Sequence, residues 1–156
     1  MGQREMKRTS PVRVLPFSLE NLGAVLPTPK MPREDCRICQ AMGGGDSKLV
    51  KGGTLEYDTI PAAVQHLKYF MRLGEHVETN WLDICPLCDR LYYCEESYEY
   101  LIPGSEDYES YAPIGLEAVL KLAVASWAKA TSKGEIRAHD DGTWCLVRDA
   151  EKLRKR

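Results

Sequence analysis

The stretch CPLCDRLYYCEESYEYLIPGSED, Cys85 to Asp107, decides the fold. It opens on a C-x-x-C pair, Cys85-Pro-Leu-Cys88, and runs into a tyrosine-rich, partly alternating segment. A second pair, Cys36-Arg-Ile-Cys39, lies upstream, with 45 residues between Cys39 and Cys85. A C-x-x-C turn puts two thiolates on one side of a metal and leaves backbone amides to hydrogen-bond the sulfurs. Two such turns complete the tetrahedron that zinc requires, with Zn–S near 2.3 Å. Pro86 helps preset the second turn. We therefore predict a closed structural Zn2+ site at Cys36, Cys39, Cys85 and Cys88. The spacer is longer than ordinary zinc ribbons use, so the expected architecture inserts a helix between the two knuckles. Such a spacer is physically allowed, because loop-closure entropy grows only logarithmically with length.

The competing reading of C-P-x-C is redox, since thioredoxin-like enzymes place the first thiol at a helix N-terminus. Residues after Cys88 read as strand rather than helix, which makes a dithiol oxidoreductase the alternative rather than the leading reading. The remaining cysteines, Cys94 and Cys145, read most simply as small buried apolar residues. Cys94, Cys145 and His76 are each minor candidates for a substitute ligand.

Outward from the cysteines, Leu91–Ile102 reads as one or two strands of a small antiparallel sheet. Pro103-Gly104 is a turn signal, and Ser105, Glu106 and Asp107 are expected in an ordered turn after it. A helix is expected from about Ile60 to Leu73. Thr59 would cap it, Pro61 suits its first turn, and Gly74 would close it. Ile60, Ala63, Val64, Leu67 and Met71 would form its apolar face. A second helix is expected from about Gly115 to Thr131. Its stripe is Leu116, Val119, Leu120, Ala123, Val124 and Trp127, with Glu117 and Lys121 as an outward i,i+4 pair. Asp141-Gly142, between Glu135–Asp140 and Thr143–Arg148, suits a two-residue type I′ hairpin.

Residues 1–34 hold five of the nine prolines and read as an extended arm, with Val12, Val14, Leu15 and Phe17 as anchors to the core. Residues 35–156 then form one α+β domain, with a zinc-ribbon-like site, two helices and small antiparallel sheets. The run GGGDSK at 43–48 lacks phosphate-loop spacing and is read as loop.

Charge and motif content narrow the function. The chain has 156 residues and a net charge of −2, which excludes a whole-molecule basic field for nucleic acid. No apolar run reaches the roughly 18 residues of a membrane span, and no secretory h-region follows the N-terminus. The expectation is a cytoplasmic protein. His66 and His139 sit in no catalytic motif, and a closed all-cysteine site offers no substrate position. The chain is therefore not expected to be an enzyme.

Residues 75–112 contain ten acids against one base, Arg90, together with six of the eight tyrosines. That segment carries −9 and the remainder +7. Tyrosine beside carboxylate combines contact area with charge steering, which suits a basic protein partner. The candidate binding residues are Tyr93, Glu95, Glu96, Tyr98, Glu99, Tyr100, Glu106 and Asp107. Nucleic-acid binding by a zinc ribbon is the alternative, and it would use Lys48, Lys51, Lys68, Arg72 and the Lys152–Arg156 tail.

The segment from Trp81 to Ala112 resembles small bacterial proteins that carry CPxCG, a tyrosine and a YEYL-x-x-GSED-like stretch. It also resembles the double-CXXCG proteins, some of which act as immunity proteins of bacterial toxin systems. Gln40 and Asp89 stand where that pattern has glycine. The resemblance implies a bacterial source and a toxin-neutralising role, and it assigns no catalytic residue.

Overall fold

The computed structural model describes residues 10–43, 47–51, 57–58, 61–73, 80–101, 104–127 and 134–147. Nine strands pair into one sheet: β1 (Pro11–Pro16), β2 (Ser47–Lys51), β3 (Tyr57–Asp58), β4 (Lys68–Arg72), β5 (Asn80–Ile84), β6 (Leu91–Leu101), β7 (Gly104–Ile114), β8 (Glu135–His139) and β9 (Trp144–Val147). The order is β1-β8-β9-β4-β5-β6-β7-β2-β3. All joins are antiparallel except β4 with β9. Small separate antiparallel sheets were the expectation; the strands instead make one mixed sheet, because β4 joins the β1-β8-β9 group to the β5-β6-β7 group.

Among the described residues three helices flank it: α1 (Leu19–Val25), α2 (Arg37–Met42) and α3 (Leu116–Trp127). The helix expected over 60–73 is absent. Ala62–His66 forms a 3-10 turn, Leu67 is extended at φ −69°, ψ 145°, and Lys68–Arg72 is β4. Sheet pairing on both sides of β4, with Tyr69 and Phe70 favouring a pleated surface, overrides helical propensity here. The apolar recurrence was still meaningful. Ala63, Leu67 and Met71 are all buried, but Ala63 and Leu67 pack on one side of the sheet and Met71 on the other.

Helix α3 matches its expected start and its outward Glu117–Lys121 pair (3.4 Å). Val119 is buried, Leu120 and Leu122 pack against the same core, and residues 128–131 of the expected helix lie outside the described residues. Helix α1 falls inside the stretch expected to be extended. Ser18 caps it by accepting from the Asn21 amide at 3.0 Å, and Leu22 is fully buried. In β1, alternation turns Leu15 toward the core, while Val12 and Val14 are 67% and 46% exposed, so those two are not anchors.

The C-terminal hairpin forms where expected, but its turn differs. The His139 amide donates to the Thr143 carbonyl (2.8 Å) around a three-residue loop, and only Gly142 takes a positive φ (86°). A type I′ turn needs positive φ at both central residues, and Asp141 does not supply it. Asp141 instead accepts from the Thr143 amide and hydroxyl at 3.0 and 2.6 Å.

The sheet has two differently covered faces. Against one, α1 and α3 pack together over Leu82, Leu91, Met71, Ile136 and Leu146. Against the other lie α2, the 62–66 turn and the four cysteines, over Trp81, Tyr92, Cys94 and Tyr111.

Candidate metal centre

The second knuckle is the turn of the β5–β6 hairpin. The Cys85 amide donates to the Arg90 carbonyl and the Asp89 amide to the Cys85 carbonyl, both at 2.9 Å, directly after the Ile84–Leu91 pair. Asp89 adopts φ 64°, the left-handed region that favours glycine. Asp tolerates that region better than most residues, which is how this chain departs from C-x-x-C-G and keeps the turn.

The first knuckle follows a 3-10 turn at Arg33–Asp35. Cys36 precedes α2 at φ −104°, ψ 111°, and its carbonyl accepts from the Gln40 amide (2.9 Å). Gln40 is therefore helical, where a glycine knuckle would turn. Its side-chain amide bonds the Glu34 carbonyl. Lys30, in the chain that leads into the first knuckle, is tied to the second outside the sulfurs. Its amide donates to the Cys88 carbonyl at 2.7 Å, and its ammonium meets the Asp89 carboxylate at 3.1 Å.

These backbones bring the four predicted sulfurs, all buried, within 4.8 Å of one another. Cys36 Sγ lies 3.6 Å from Cys85 Sγ, and Cys39 Sγ lies 3.4 Å from Cys88 Sγ. A tetrahedron with 2.3 Å metal–sulfur bonds has edges of about 3.8 Å, so the cluster is sized to hold one metal ion. Each of these two contacts joins one knuckle to the other, so the two pairs face a common centre.

The thiols differ in acidity. Burial alone would raise the Cys36 thiol. Hydrogen bonds from the Cys39 backbone and from the other three cysteines outweigh it and bring the thiol down to about 7. Burial pushes Cys39 and Cys85 up. Four thiolates in so small a buried space would call for a cation between them. Cys36 before a helix with a lowered thiol is the feature shared with a dithiol oxidoreductase. All four sulfurs are nonetheless shielded from solvent, whereas thiol–disulfide exchange needs access to the attacked sulfur.

Comparison with protein-family models, with curated proteins and with solved structures returns no match to this chain.

Other sequence candidates fall elsewhere. The Cys94 thiol donates to the Tyr92 carbonyl at 3.5 Å and stays out of the cluster. Cys145 sits on β9 beside Val147, its thiol pushed up by burial. His66 is exposed, and His76 lies outside the described residues. Among the proposed binding residues, the half-buried Tyr93 packs on the α1–α3 core and its hydroxyl donates to Glu95 at 2.8 Å. Glu95 is exposed and Glu96 half-buried. Tyr98, Glu99 and Tyr100 lie on β6, and Glu106 and Asp107 on β7; their side chains lie outside the described residues. Ser105, Glu106 and Asp107 do not form the expected turn. They pair with Tyr100, Glu99 and Tyr98 as strand, because the hairpin reverses between Leu101 and Gly104.

Sequence reasoning missed Tyr92. It is 1% exposed and packs among the four cysteines. Its position two residues before Cys94 on an alternating strand was the available signal. No group bonds its hydroxyl in ordinary geometry among the described residues. Burial first, and then the adjacent Cys39, push its phenol well above the usual range.

Among the described residues, no helix is long and apolar enough to cross a membrane.

Proposed function

We propose that the chain is a non-catalytic, zinc-stabilised module that binds a basic protein, most concretely as an immunity-type inhibitor of a bacterial toxin. Zinc is the metal best suited to four thiolates in a closed tetrahedron, and it brings no redox chemistry of its own. With all four positions taken by protein sulfur, its role is to hold the fold. The binding half of the reading rests chiefly on the acidic β6–β7 hairpin, whose register sets Glu99 opposite Glu106. Like charges directly opposite destabilise a strand pair. A basic partner would relieve that repulsion and would be steered in by the same field. The hairpin also springs directly from the second knuckle, so a metal there would stiffen its base and reduce the freedom lost on binding.

The test is affinity capture from the native host with the wild-type chain and with the Glu99→Lys, Glu106→Lys double variant. A basic protein should be retained by the wild type at low salt and lost both at high salt and in the variant. Capture that ignores the double reversal would overturn the assignment of this surface. Tight binding of labelled DNA or RNA, abolished by deleting the Lys152–Arg156 tail, would favour a nucleic-acid-binding ribbon instead.

A further inference from the structure

A four-thiolate site around a divalent ion carries a formal charge of −2 in a buried setting, and such a site is stable only if donors surround the sulfurs. Donors around the cluster come partly from the knuckle backbones. Among the described residues, the Tyr92 hydroxyl, on a residue that is 1% exposed and packed among the cysteines, is left without an ordinary partner. A buried hydroxyl without a partner costs free energy, so its placement calls for an explanation. Tyr92 sits on β6 opposite Asp83 and Pro113, on the face that carries the cysteines, and packs in one cluster with Cys36, Cys39, Cys85 and Cys88. After burial, Cys39 is the cysteine that does most to raise the phenol. A neutral thiol is a weak acceptor, whereas a metal-bound thiolate is a strong one for a phenolic O–H.

We propose that Tyr92 is a positioning residue of the metal centre, donating its hydroxyl hydrogen to the Cys39 thiolate. The inference rests on the four-cysteine metal reading and extends it to the sulfur environment. Donation withdraws charge from that sulfur. It thereby strengthens metal retention and lowers the reactivity of Cys39 toward alkylating agents and oxidants. Tyr111 provides the internal control. It belongs to the same cluster, but its hydroxyl donates to Glu109.

The experiment is a Co2+ titration of the full chain as wild type, Tyr92→Phe and Tyr111→Phe, followed by absorption. Cobalt binding by the wild type with intense sulfur-to-metal bands tests the metal reading itself; their absence defeats that reading and this inference with it. Given those bands, Tyr92→Phe should move them to lower energy, because the sulfur loses a hydrogen bond, and should weaken cobalt affinity about tenfold. Tyr111→Phe should change neither. Unchanged bands and affinity in Tyr92→Phe, or equal changes in the two variants, overturn the role of Tyr92 and leave the metal site standing. Should Tyr92→Phe fail to fold, the wild type loaded with cadmium-113 decides. A through-bond coupling between the metal and the Tyr92 hydroxyl proton is expected, and its absence overturns the proposal.

Discussion

The two faces of the sheet are closed by different means. Under α1 and α3 the buried contacts are mostly aliphatic: Leu22, Leu82, Leu91, Met71, Val119, Ile136 and Leu146 bury one another, with Phe17 among them. On the opposite face the buried aliphatic residues are Met42, Ala63 and Leu67, and the other buried residues are cysteine, tyrosine and tryptophan. There Asp83, fully buried, accepts from the Trp81 indole at 3.0 Å, and Trp81 meets Tyr111 edge-on at 6.4 Å. Apolar burial at roughly 25 cal/mol per Å2 can hold the first face. The second is rich in polar atoms and covered by short elements, a six-residue helix and a 3-10 turn, which have little stability of their own. The lesson is a division of labour: a hydrophobic core on one side, and a cysteine cluster doing the equivalent job on the other.

The strongest way to break this comparison is to disable the cysteine face alone. Cys39→Ser, or chelation of the metal, should remove most of a metal-binding free energy that runs to about 10–16 kcal/mol in small zinc domains. Hydrogen exchange should then show fast amides at 36–42 and 85–90 while β8 and β9 stay protected. Uniform loss of protection would mean that the two faces fold as one unit and that the division is artificial. The converse experiment is Leu82→Ala, at a fully buried position of the aliphatic face. It should cost about 2–5 kcal/mol in denaturant unfolding and leave metal stoichiometry intact.

A finer probe lies at the knuckle. Asp89→Val should cost about 1–2 kcal/mol, because a β-branched residue is poorly tolerated at φ 64°. Asp89→Gly should be close to neutral in thermal unfolding, since glycine relieves strain while only the half-exposed Lys30 pair is lost. Equal losses in both variants would locate the role of Asp89 in its side chain rather than its backbone.

What was legible in the sequence follows the same divide. Cysteine spacing is a local signal with a chemical meaning, so Cys36, Cys39, Cys85 and Cys88 could be grouped across a long spacer. Helix α3 was legible from a sustained 3.6-residue stripe, and the C-terminal hairpin from Asp141-Gly142. Residues 60–73 were not, because Ala63, Leu67 and Met71 satisfy a helical period although they serve opposite faces of a sheet. Nothing local distinguishes the two, and the pairing of β4 with β5 and β9 decides it. Helix α1 was hidden by the prolines around it, although Ser18 with Glu20 in the first turn was a readable cap. Tyr92 escaped notice among six tyrosines of one acidic segment, since only the sheet register separates it from Tyr93.

The smallest expected effect concerns Tyr93, on the aliphatic side of the same strand. Burial first, and then the Glu95 carboxylate that accepts from it, raise its phenol to about 12 from an ordinary value of 10.0. A raised folded-state value adds stability that is complete below pH 10 and is lost as the pH climbs toward 12. Tyr93→Phe should therefore flatten the alkaline fall in melting temperature across that window. An unchanged alkaline slope would show that Tyr93 titrates as freely in the folded protein as in the unfolded chain.

The most direct measurement is native mass spectrometry of the full chain, purified without added metal and with thiols protected from air. The account predicts one zinc per chain, and alkylation of the native protein that spares Cys36, Cys39, Cys85 and Cys88 until the metal is removed. A metal-free chain that is fully folded, or one whose mass reveals a disulfide within these four cysteines, would contradict it.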